Sequence, residues 1–287
     1  MGILNTTPDS FSDGGQFQDH QQAINHAMQM LAQGASIIDV GGESTRPGAS
    51  PVSPQLQIKR TQPIIQSIAQ YIDNHYPRNT DDPCLKPIIS IDTTSSQVAA
   101  AAIQAGAKCI NDVSAATDDP QILALAAKHQ IPICLMHKQG SSQAMQQNPT
   151  YQNVLKEVLS FLKQQAQKAY HAGIPKNHII LDPGIGFGKT PTHNLILLNH
   201  LDQLADLGYP TLLGTSRKSI LKHFFQNQNI PNPTTQQLDQ ATAITTALGL
   251  NQNVKIFRVH HIQLNKIALA LAQQIRCAAD EARSSCS

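Results

Sequence analysis

The sequence contains no tryptophan, and its 287 residues are only 4% aromatic and 14% charged. Lysine and arginine total 21 against 19 aspartates and glutamates, which gives a net charge of +2, and the basic residues are scattered. Because no continuous cationic face is offered, neither nucleic acid nor a membrane surface is expected as a partner. A hydrophobic fraction of 40%, with 16 glycines and 17 prolines, excludes a disordered or fibrous protein.

Long apolar runs are also missing, because no stretch approaches the roughly 20 apolar residues that span a bilayer. Met1 is not followed by the basic segment and apolar core of a signal sequence. We therefore expect a cytoplasmic protein. The five cysteines include no C-x-x-C pair, and Cys109 and Cys134 lie inside apolar runs. Neither a disulfide framework nor a zinc site is indicated.

Short runs rich in isoleucine, valine and leucine recur along the chain, separated by segments whose apolar residues have helical spacing. The eight runs are Gly2–Asn5, Ser36–Val40, Ile88–Asp92, Lys108–Asp112, Ile131–Met136, His178–Asp182, Thr211–Gly214 and Lys255–Val259. Apolar strands without alternation indicate a parallel sheet covered on both faces, and eight βα units predict an α/β fold, a single (β/α)8 TIM barrel. We expect one domain over residues 1–287, with 277–287 as a frayed tail.

Polar residues follow most of these predicted strands, at the end where TIM barrels carry their chemistry. They are Asn5, Asp39, Asp92, Asn111, Asp112, His137, Asp182, Ser216, Arg217, Lys218, Arg258 and His260. One acidic residue after a strand usually caps a helix or anchors a loop. Six or seven strands that end in polar side chains predict instead a single binding site at the mouth of the barrel.

Three of these residues suit a flat heterocycle. Asp92, Asn111 and Asp182 supply oxygen acceptors, and a carboxylate accepts two parallel N–H bonds from an amidine or guanidine edge. These residues therefore predict that one end of the ligand is a nitrogen-rich ring.

Another group of residues suits an anion. Lys218, Arg258 and His260 carry the donors that hold phosphate oxygens. Asn5 offers a neutral hard oxygen, which could join substrate phosphates in holding Mg²⁺. A phosphate at the other end of the ligand and Mg²⁺ as a cofactor are therefore predicted.

The segment Asp182–Thr190 is similar to the phosphate-binding pattern G-x-x-x-x-G-K-[ST], but the first glycine of that pattern falls on Pro183. Its glycines are interpreted as a tight turn beneath the ring, with Phe187 as an aromatic wall. Lys189 is interpreted as a solvated loop cation.

The loops after the first two strands are rich in glycine, proline and small hydroxyl residues, and such loops can order over a ligand. Phe11, in the first loop, either covers a ligand or packs on the barrel rim. Asp39 and Glu43 are expected to tie down the second loop by hydrogen bonds.

Eight segments in this order resemble the dihydropteroate synthase family of folate biosynthesis. They are MGILNTTPDSFSDGG (1–15), IIDVGGESTRPGA (37–49), ISIDTT (89–94), INDVSA (110–115), CLMHKQG (134–140), LDPGIGFGKT (181–190), GTSRKS (214–219) and FRVHHI (257–262). The resemblance implies that 6-hydroxymethyl-7,8-dihydropterin diphosphate condenses with 4-aminobenzoate to 7,8-dihydropteroate and diphosphate. Mg²⁺ is the implied cofactor, with Asn5 as its protein ligand.

The resemblance also assigns roles to individual residues. The implied catalytic residues are Asp92, Asp182, Lys218, Arg258 and His260. The implied pterin and diphosphate contacts are Thr45, Asp92, Asn111, Val113, Met136, Asp182, Phe187, Lys218, Arg258, Val259 and His260. The implied 4-aminobenzoate contacts are Phe11, Arg46, Pro47, Phe187, Lys218 and Ser219.

The resemblance further implies a homodimer and, as a partner or upstream fusion, a hydroxymethyldihydropterin diphosphokinase. Two features depart from the family pattern. The strand pair that usually precedes the first barrel strand is expected to be lacking, and His261 stands where an aspartate is common. Two alternatives stay open at this point, a methyltetrahydrofolate methyltransferase and a catalytically silent pterin-binding barrel.

Overall fold

Eight short parallel strands organise the fold. The computed structural model describes residues 1–6, 16–44, 51–76, 86–140 and 149–284. Within these ranges the strands are β1 Gly2–Asn5, β2 Ile37–Gly41, β3 Ile88–Asp92, β4 Cys109–Asp112, β5 Ile133–Met136, β6 Ile179–Asp182, β7 Leu212–Leu213 and β8 Ile256–Phe257. Each predicted apolar run contains one of them, although β7 and β8 are only two residues long.

The strands follow chain order around a ring. Strands β1 to β6 form one six-stranded parallel sheet, and β7 pairs with β8 in a second sheet. Two isolated bridges join the sheets, Leu181 with Thr211 and Gly2 with Val259. The Ile3 amide also donates to the Val259 carbonyl at 3.1 Å. The fold is the predicted (β/α)8 TIM barrel, with its strand pairing reduced to single bridges on both sides of the β7–β8 pair.

Helices cover the outside of the strands. They are α1 Gln16–Ala32, α2 Pro54–His75, α3 Ser96–Ala105, α4 Gln121–His129, α5 Val154–His171, α6 Pro191–Asn199, α7 Leu201–Ala205, α8 Ser219–Asn227, α9 Thr235–Asn251 and α10 Ile262–Ser284, with a short 3₁₀ turn at Lys176–His178. Their apolar faces pack against strand side chains such as Ile38, Ile91 and Ile110, which are fully buried. None of the helices in these ranges is long and apolar enough to cross a membrane.

Side chains that point into the barrel change character along its axis. Cys109, Cys134, Ile180 and Leu212 form a small buried apolar cluster of their own, separate from the main core. Successive strand residues point to opposite faces, so the next inward residue is two positions further along. Two residues beyond Cys109, Cys134 and Ile180 lie Asn111, Met136 and Asp182. The barrel therefore has an apolar floor and, above it, a largely polar layer at the carboxyl ends of the strands.

The last helix is longer than the sequence predicts. Helix α10 continues to Ser284, so residues 277–284 have helical backbone, and the fraying expected over 277–287 stays a prediction. The apolar spacing of this helix stops before its helical backbone does, which is why the sequence pattern placed the end too early.

His261 caps the start of α10. Its Nδ1 accepts a hydrogen bond from the Leu264 amide at 3.3 Å, which satisfies one of the free N–H groups of the first turn. Aspartate is a stronger cap, and its charge is stabilised by the positive end of the helix. We expect His261→Asp to raise the free energy of unfolding by about 0.5–1 kcal/mol, measured by urea denaturation.

His129 provides the matched control, because it lies in the last turn of α4. The same change there, His129→Asp, places a negative charge at the carboxyl end of a helix, which is unfavourable. The two variants should shift stability in opposite directions, and shifts of the same sign would contradict the capping role of His261.

Candidate active site

Arg258 lies at the centre of the polar layer, bound to two carboxylates. Its Nε donates to Asp39 Oδ2 and its Nη2 to Asp92 Oδ2, both at 2.7 Å. Burial alone would lower the pKa of Arg258, but Asp39 and Asp92 together hold it above its usual value. Burial also raises the pKa of the Asp92 carboxyl to about 7, with Arg258 opposing that shift. The guanidinium therefore stays charged within the barrel.

Asp39 is one of the most deeply buried charged residues of the site. The expectation that it ties down the second loop is wrong, because its carboxylate contacts Arg258 and Asn111 instead. Asn111 Nδ2 donates to Asp39 Oδ2 at 2.9 Å. Since that bond uses the amide nitrogen, it fixes the orientation of the amide. The Asn111 side-chain oxygen then points away from Asp39 and is the acceptor that this residue can present to a ligand.

Asp182 ends β6 and Lys218 follows the neighbouring strand β7, both at the mouth. Asp182 Oδ1 accepts the Gly184 amide at 2.7 Å, and Lys218 Nζ donates to the Ile185 carbonyl at 2.6 Å. The same ammonium lies 4.5 Å from the centroid of the Phe187 ring. Burial raises the pKa of Asp182, with Lys218 opposing, and burial lowers the pKa of Lys218 to about 8, with Asp182 opposing. Each residue thus favours the charged form of the other.

The loop between β6 and α6 turns on three glycines with positive φ, Gly184, Gly186 and Gly188. A side chain at Gly184 would overlap the His137 carbonyl, so the close approach of the two loops requires glycine there. This agrees with the predicted tight turn, which presents Phe187 next to Lys218.

Lys189, at the end of that loop, is only 2% exposed. The interpretation as a solvated cation is therefore wrong. Its ammonium donates to the carbonyls of Gly184 and Phe187, both at 3.0 Å, and of His137 at 3.3 Å. It also lies 2.9 Å from His137 Nδ1. Its partner His137 lies 52 residues earlier in the chain, so the sequence around Lys189 carried no signal of this burial.

His260 and Ser216 form a second polar pair at the mouth. His260 Nδ1 lies 2.9 Å from Ser216 Oγ, and the His260 amide donates to the same oxygen at 3.2 Å. Ser216 therefore orients His260, a contact that the sequence did not indicate. The neighbouring Arg217 has a φ of +57° and makes two hydrogen bonds of 2.8 Å to the buried Asp239 on α9. This pair anchors the loop that carries Lys218.

Asn5 ends β1 beside Gly41, the last residue of β2, with which it is in register. The Asp92 carboxylate lies on the other side of Gly41. A Cβ placed on Gly41 would lie 3.7 Å from Asn5 Oδ1 and 3.6 Å from Asp92 Oδ2. The missing side chain thus leaves a small space that is flanked by oxygen atoms of two neighbouring strand ends.

The remaining residues predicted to contact a ligand differ in where they lie. Met136 is buried at the end of β5, and Val113 is half-buried just after β4, so both lie near the mouth. Ser219 begins α8 directly after Lys218. Val259 differs, because its side chain belongs to the core and its backbone pairs with β1; its ligand contact stays a prediction. Four residues lie outside the described ranges: Phe11, Thr45, Arg46 and Pro47.

Glu43 behaves as expected and holds the second loop. Its carboxylate accepts the Val52 amide at 3.2 Å and Gln57 Nε2 at 2.7 Å. Gln57 is itself buried and also accepts from the Thr93 hydroxyl at 3.3 Å. The two ends of this loop are therefore fixed to α2 and to the end of β3.

Comparison with known proteins identifies this arrangement. A family model for pterin binding enzymes matches residues 1–260. The dihydropteroate synthase of Synechocystis sp. is 45% identical over 275 residues, which cover 94% of this chain and 89% of that protein.

Two solved structures share the fold. The dihydropteroate synthase of Clostridium difficile, crystallised in the presence of pteroic acid, superposes with a TM-score of 0.84 at 38% identity and covers 96% of this chain and 95% of its own. The dihydropteroate synthase of Xanthomonas albilineans with 4-aminobenzoic acid gives a TM-score of 0.84 at 34% identity, with 96% and 92% covered. Both the matched sequence and the barrel geometry place this chain in the pterin binding enzyme family.

Proposed function

We propose that this chain is a dihydropteroate synthase, which condenses 6-hydroxymethyl-7,8-dihydropterin diphosphate with 4-aminobenzoate to form 7,8-dihydropteroate and diphosphate in folate biosynthesis. The observation that carries the proposal is the polar layer of the barrel mouth. It combines the buried acceptors Asp182 and Asn111 with the charged groups Lys218 and Arg258. The relatives that match the chain almost end to end are dihydropteroate synthases.

The pterin ring suits the acceptors of this layer. A carboxylate such as Asp182 can accept two parallel N–H bonds from the guanidine-like edge of the ring. The Asn111 amide is fixed by Asp39 so that its oxygen is available to accept a third. Phe187 and Met136 supply apolar surface for the faces of the ring, and the Lys218 ammonium can donate to a ring acceptor.

Bond breaking leaves positive charge on the pterin. In the proposed mechanism the bond between the methylene carbon and the diphosphate oxygen breaks first, and the oxygen keeps the electron pair. The methylene charge spreads into the ring, where the buried carboxylates of Asp92 and Asp182 stabilise it. The neutral amine nitrogen of 4-aminobenzoate then forms the new C–N bond, and the resulting arylammonium loses its proton to water. Since an arylammonium is a strong acid, no strong general base is needed.

Arg258 can serve both the carboxylates and the diphosphate. A guanidinium has five N–H donors, and two of them are used by Asp39 and Asp92. The others remain for phosphate oxygens, so the side chain does not have to leave its carboxylates to bind the substrate. His260, held by Ser216, lies two residues after Arg258 and is proposed as a further diphosphate contact.

The residues present fit a bound Mg²⁺. This ion prefers oxygen ligands and is usually held by one or two protein groups together with substrate phosphates. Asn5 Oδ1 borders the space beside Gly41, next to the Asp92–Arg258 pair. We propose Asn5 as the protein ligand, with diphosphate oxygens completing the site. Mg²⁺ bound there would neutralise charge on the leaving group.

The 4-aminobenzoate site is proposed at the outer end of the mouth. Phe187, Lys218 and Ser219 border it on the described side. The contacts of Phe11, Arg46 and Pro47 with 4-aminobenzoate stay predictions.

Three further expectations also stay predictions. They are the contact of Thr45 with diphosphate, a hydroxymethyldihydropterin diphosphokinase as partner, and a cytoplasmic location.

A homodimer is also proposed, through the outer faces of α9 and α10. Five large apolar side chains are more than half exposed there: Ile244, Leu248, Ile267, Leu271 and Ile275. Their spacing of four residues on each helix aligns them in one stripe per helix, and the two helices pack side by side. A contiguous apolar patch of this kind is typical of a protein interface.

Asp182→Asn tests the proposed activity. The amide can still accept the Gly184 N–H, so the turn is kept, but the charge beside the pterin is removed. We expect kcat/KM for dihydropteroate formation to fall on the order of 100-fold with little change in melting temperature. The assay is turnover of the pterin diphosphate with 4-aminobenzoate.

Asp118→Asn is the matched control, because Asp118 carries an exposed carboxylate paired with Lys138 and should keep parental activity. A parental chain that binds the pterin diphosphate in a thermal-shift assay without forming product would be a silent pterin-binding barrel. Methyl transfer from methyltetrahydrofolate in place of condensation would identify the methyltransferase alternative.

Gly41→Ala tests the metal site. The added methyl would make ordinary contacts of 3.5–3.7 Å, so the fold should be retained, but it would fill the space beside Asn5. We expect the Mg²⁺ concentration for half-maximal activity to rise on the order of tenfold. The same shift should appear in the Mg²⁺ dependence of diphosphate binding followed by calorimetry. An unchanged Mg²⁺ dependence would remove Asn5 and its neighbours from the metal site.

The double variant Leu248→Glu, Leu271→Glu tests the dimer. Two charges in the apolar stripe should convert the dimer to a monomer in sedimentation velocity, because burying unpaired carboxylates is unfavourable. Tyr170→Glu is the control, since Tyr170 is equally exposed but lies on α5. A parental chain that sediments as a monomer would refute the proposed dimer directly.

A further inference from the structure

The loop between β6 and α6 is held by side chains from several elements; we call residues 183–188 the glycine loop. The Gly184 amide donates to Asp182, and the Gly186 amide donates to Asn194 Oδ1 at 2.7 Å. The Tyr151 hydroxyl donates to the Gly188 carbonyl at 2.8 Å. A loop of left-handed glycines has high conformational freedom on its own, so these contacts are what give it one conformation.

Lys189 supplies the central part of this support. Its single ammonium donates to two carbonyls of the glycine loop, at Gly184 and Phe187, and to the His137 carbonyl at the end of β5. Because the ammonium is almost fully buried, it has no direct access to bulk water and little freedom to move. The side chain therefore fastens the loop after β6 to the end of β5.

His137 orients the ammonium from the other side. Its Nδ1 lies 2.9 Å from Lys189 Nζ, and its ring packs edge-on against Phe161, with centroids 5.0 Å apart. Burial lowers the pKa of His137 to about 3, and Lys189 adds to that shift. The imidazole is therefore neutral near pH 7, and its Nδ1 can accept from the ammonium. Since an ammonium has three N–H groups for these four acceptors, one N–H is shared, and the His137 carbonyl at 3.3 Å is the longest of the four contacts.

The two carbonyls held by Lys189 lie on either side of groups that border the substrates. Between them in sequence is Ile185, whose carbonyl accepts Lys218 Nζ at 2.6 Å. Phe187 itself carries the ring beneath that ammonium. A shift of the glycine loop would move the acceptor of Lys218 and the aromatic wall together.

We propose that Lys189, oriented by His137, is a positioning residue for the condensation. It fixes the glycine loop in the position that places Phe187 and the Lys218 ammonium against the pterin. The inference rests on the proposed function, and it assigns Lys189 no contact with either substrate. Its effect on turnover passes through Lys218 and Phe187.

Lys189→Met is the principal variant, because methionine has nearly the same length and bulk but no donor. Three buried carbonyls would lose their shared donor, and the loop would no longer be fixed to β5. In the full chain we expect kcat/KM for the pterin diphosphate to fall at least about tenfold, mainly in kcat, since the reacting groups are misplaced and not removed. Lys189→Arg should rescue little, because a planar guanidinium does not match acceptors that converge on one ammonium.

A double-mutant cycle with Lys218→Ala separates positioning from general destabilisation. If Lys189 acts through Lys218, then Lys189→Met should cost less than about threefold once Lys218 is already alanine. The same loss in both backgrounds would show that Lys189 does not act through Lys218 and would overturn the proposal. Parental kinetics in Lys189→Met would overturn it equally.

Lys138→Met is the matched control, since it removes a neighbouring lysine whose ammonium pairs with Asp118 at the surface. It should keep parental kinetics. If Lys189→Met does not fold, the cycle is made with Lys189→Gln, whose amide keeps two N–H donors, and the same criterion applies. Parental turnover is measured first, so that an absence of synthase activity is distinguished from a failure of the positioning role.

Discussion

The ion pairs between Arg258 and the carboxylates of Asp39 and Asp92 are the interaction on which the rest of the site depends. A buried guanidinium is costly unless it is paired and hydrogen-bonded, and here both conditions are met at 2.7 Å. The same side chain connects the end of β8 to β2 and β3, across the point where the ring is joined by single bridges. Through Asp39 the network also fixes Asn111, so a structural contact and a recognition group share one carboxylate.

Charge in the barrel mouth is nearly balanced before any ligand binds. The buried carboxylates of Asp39, Asp92 and Asp182 face the cations of Arg258 and Lys218, and burial lowers the pKa of the third basic group, Lys189, to about 7, with Asp182 opposing that shift. In the proposed mechanism, a negatively charged diphosphate can therefore bind beside Arg258 without displacing the whole network. Its departure would change the balance in favour of the carboxylates at the moment when the pterin carries positive charge. The arrangement of fixed charges is thus suited to an ionising bond rather than to proton transfer.

The sequence predicted the barrel well because apolar strands and polar strand ends are local patterns. Asp92, Asn111 and Asp182 could be identified from their position after a strand, and the structure places all three at the mouth. The errors concern contacts between distant parts of the chain. Asp39 was assigned to its own loop although its partners lie 72 and 219 residues away. Lys189 was taken as solvated because its partner His137, 52 residues earlier, leaves no trace in the local sequence.

The two-residue length of β7 and β8 has a consequence for how the barrel responds to stress. Six strands share continuous ladders, whereas this last pair is joined to them by one bridge on each side. Amide hydrogens around this pair therefore have few cooperative neighbours and should exchange with solvent before those of β2 to β5. The same segment carries Lys218 and Arg258, so the ligand contacts proposed for these two residues would add cross-links where the backbone has few. Through them the free energy of substrate binding would be coupled to closure of the ring, at the least cooperative part of the barrel.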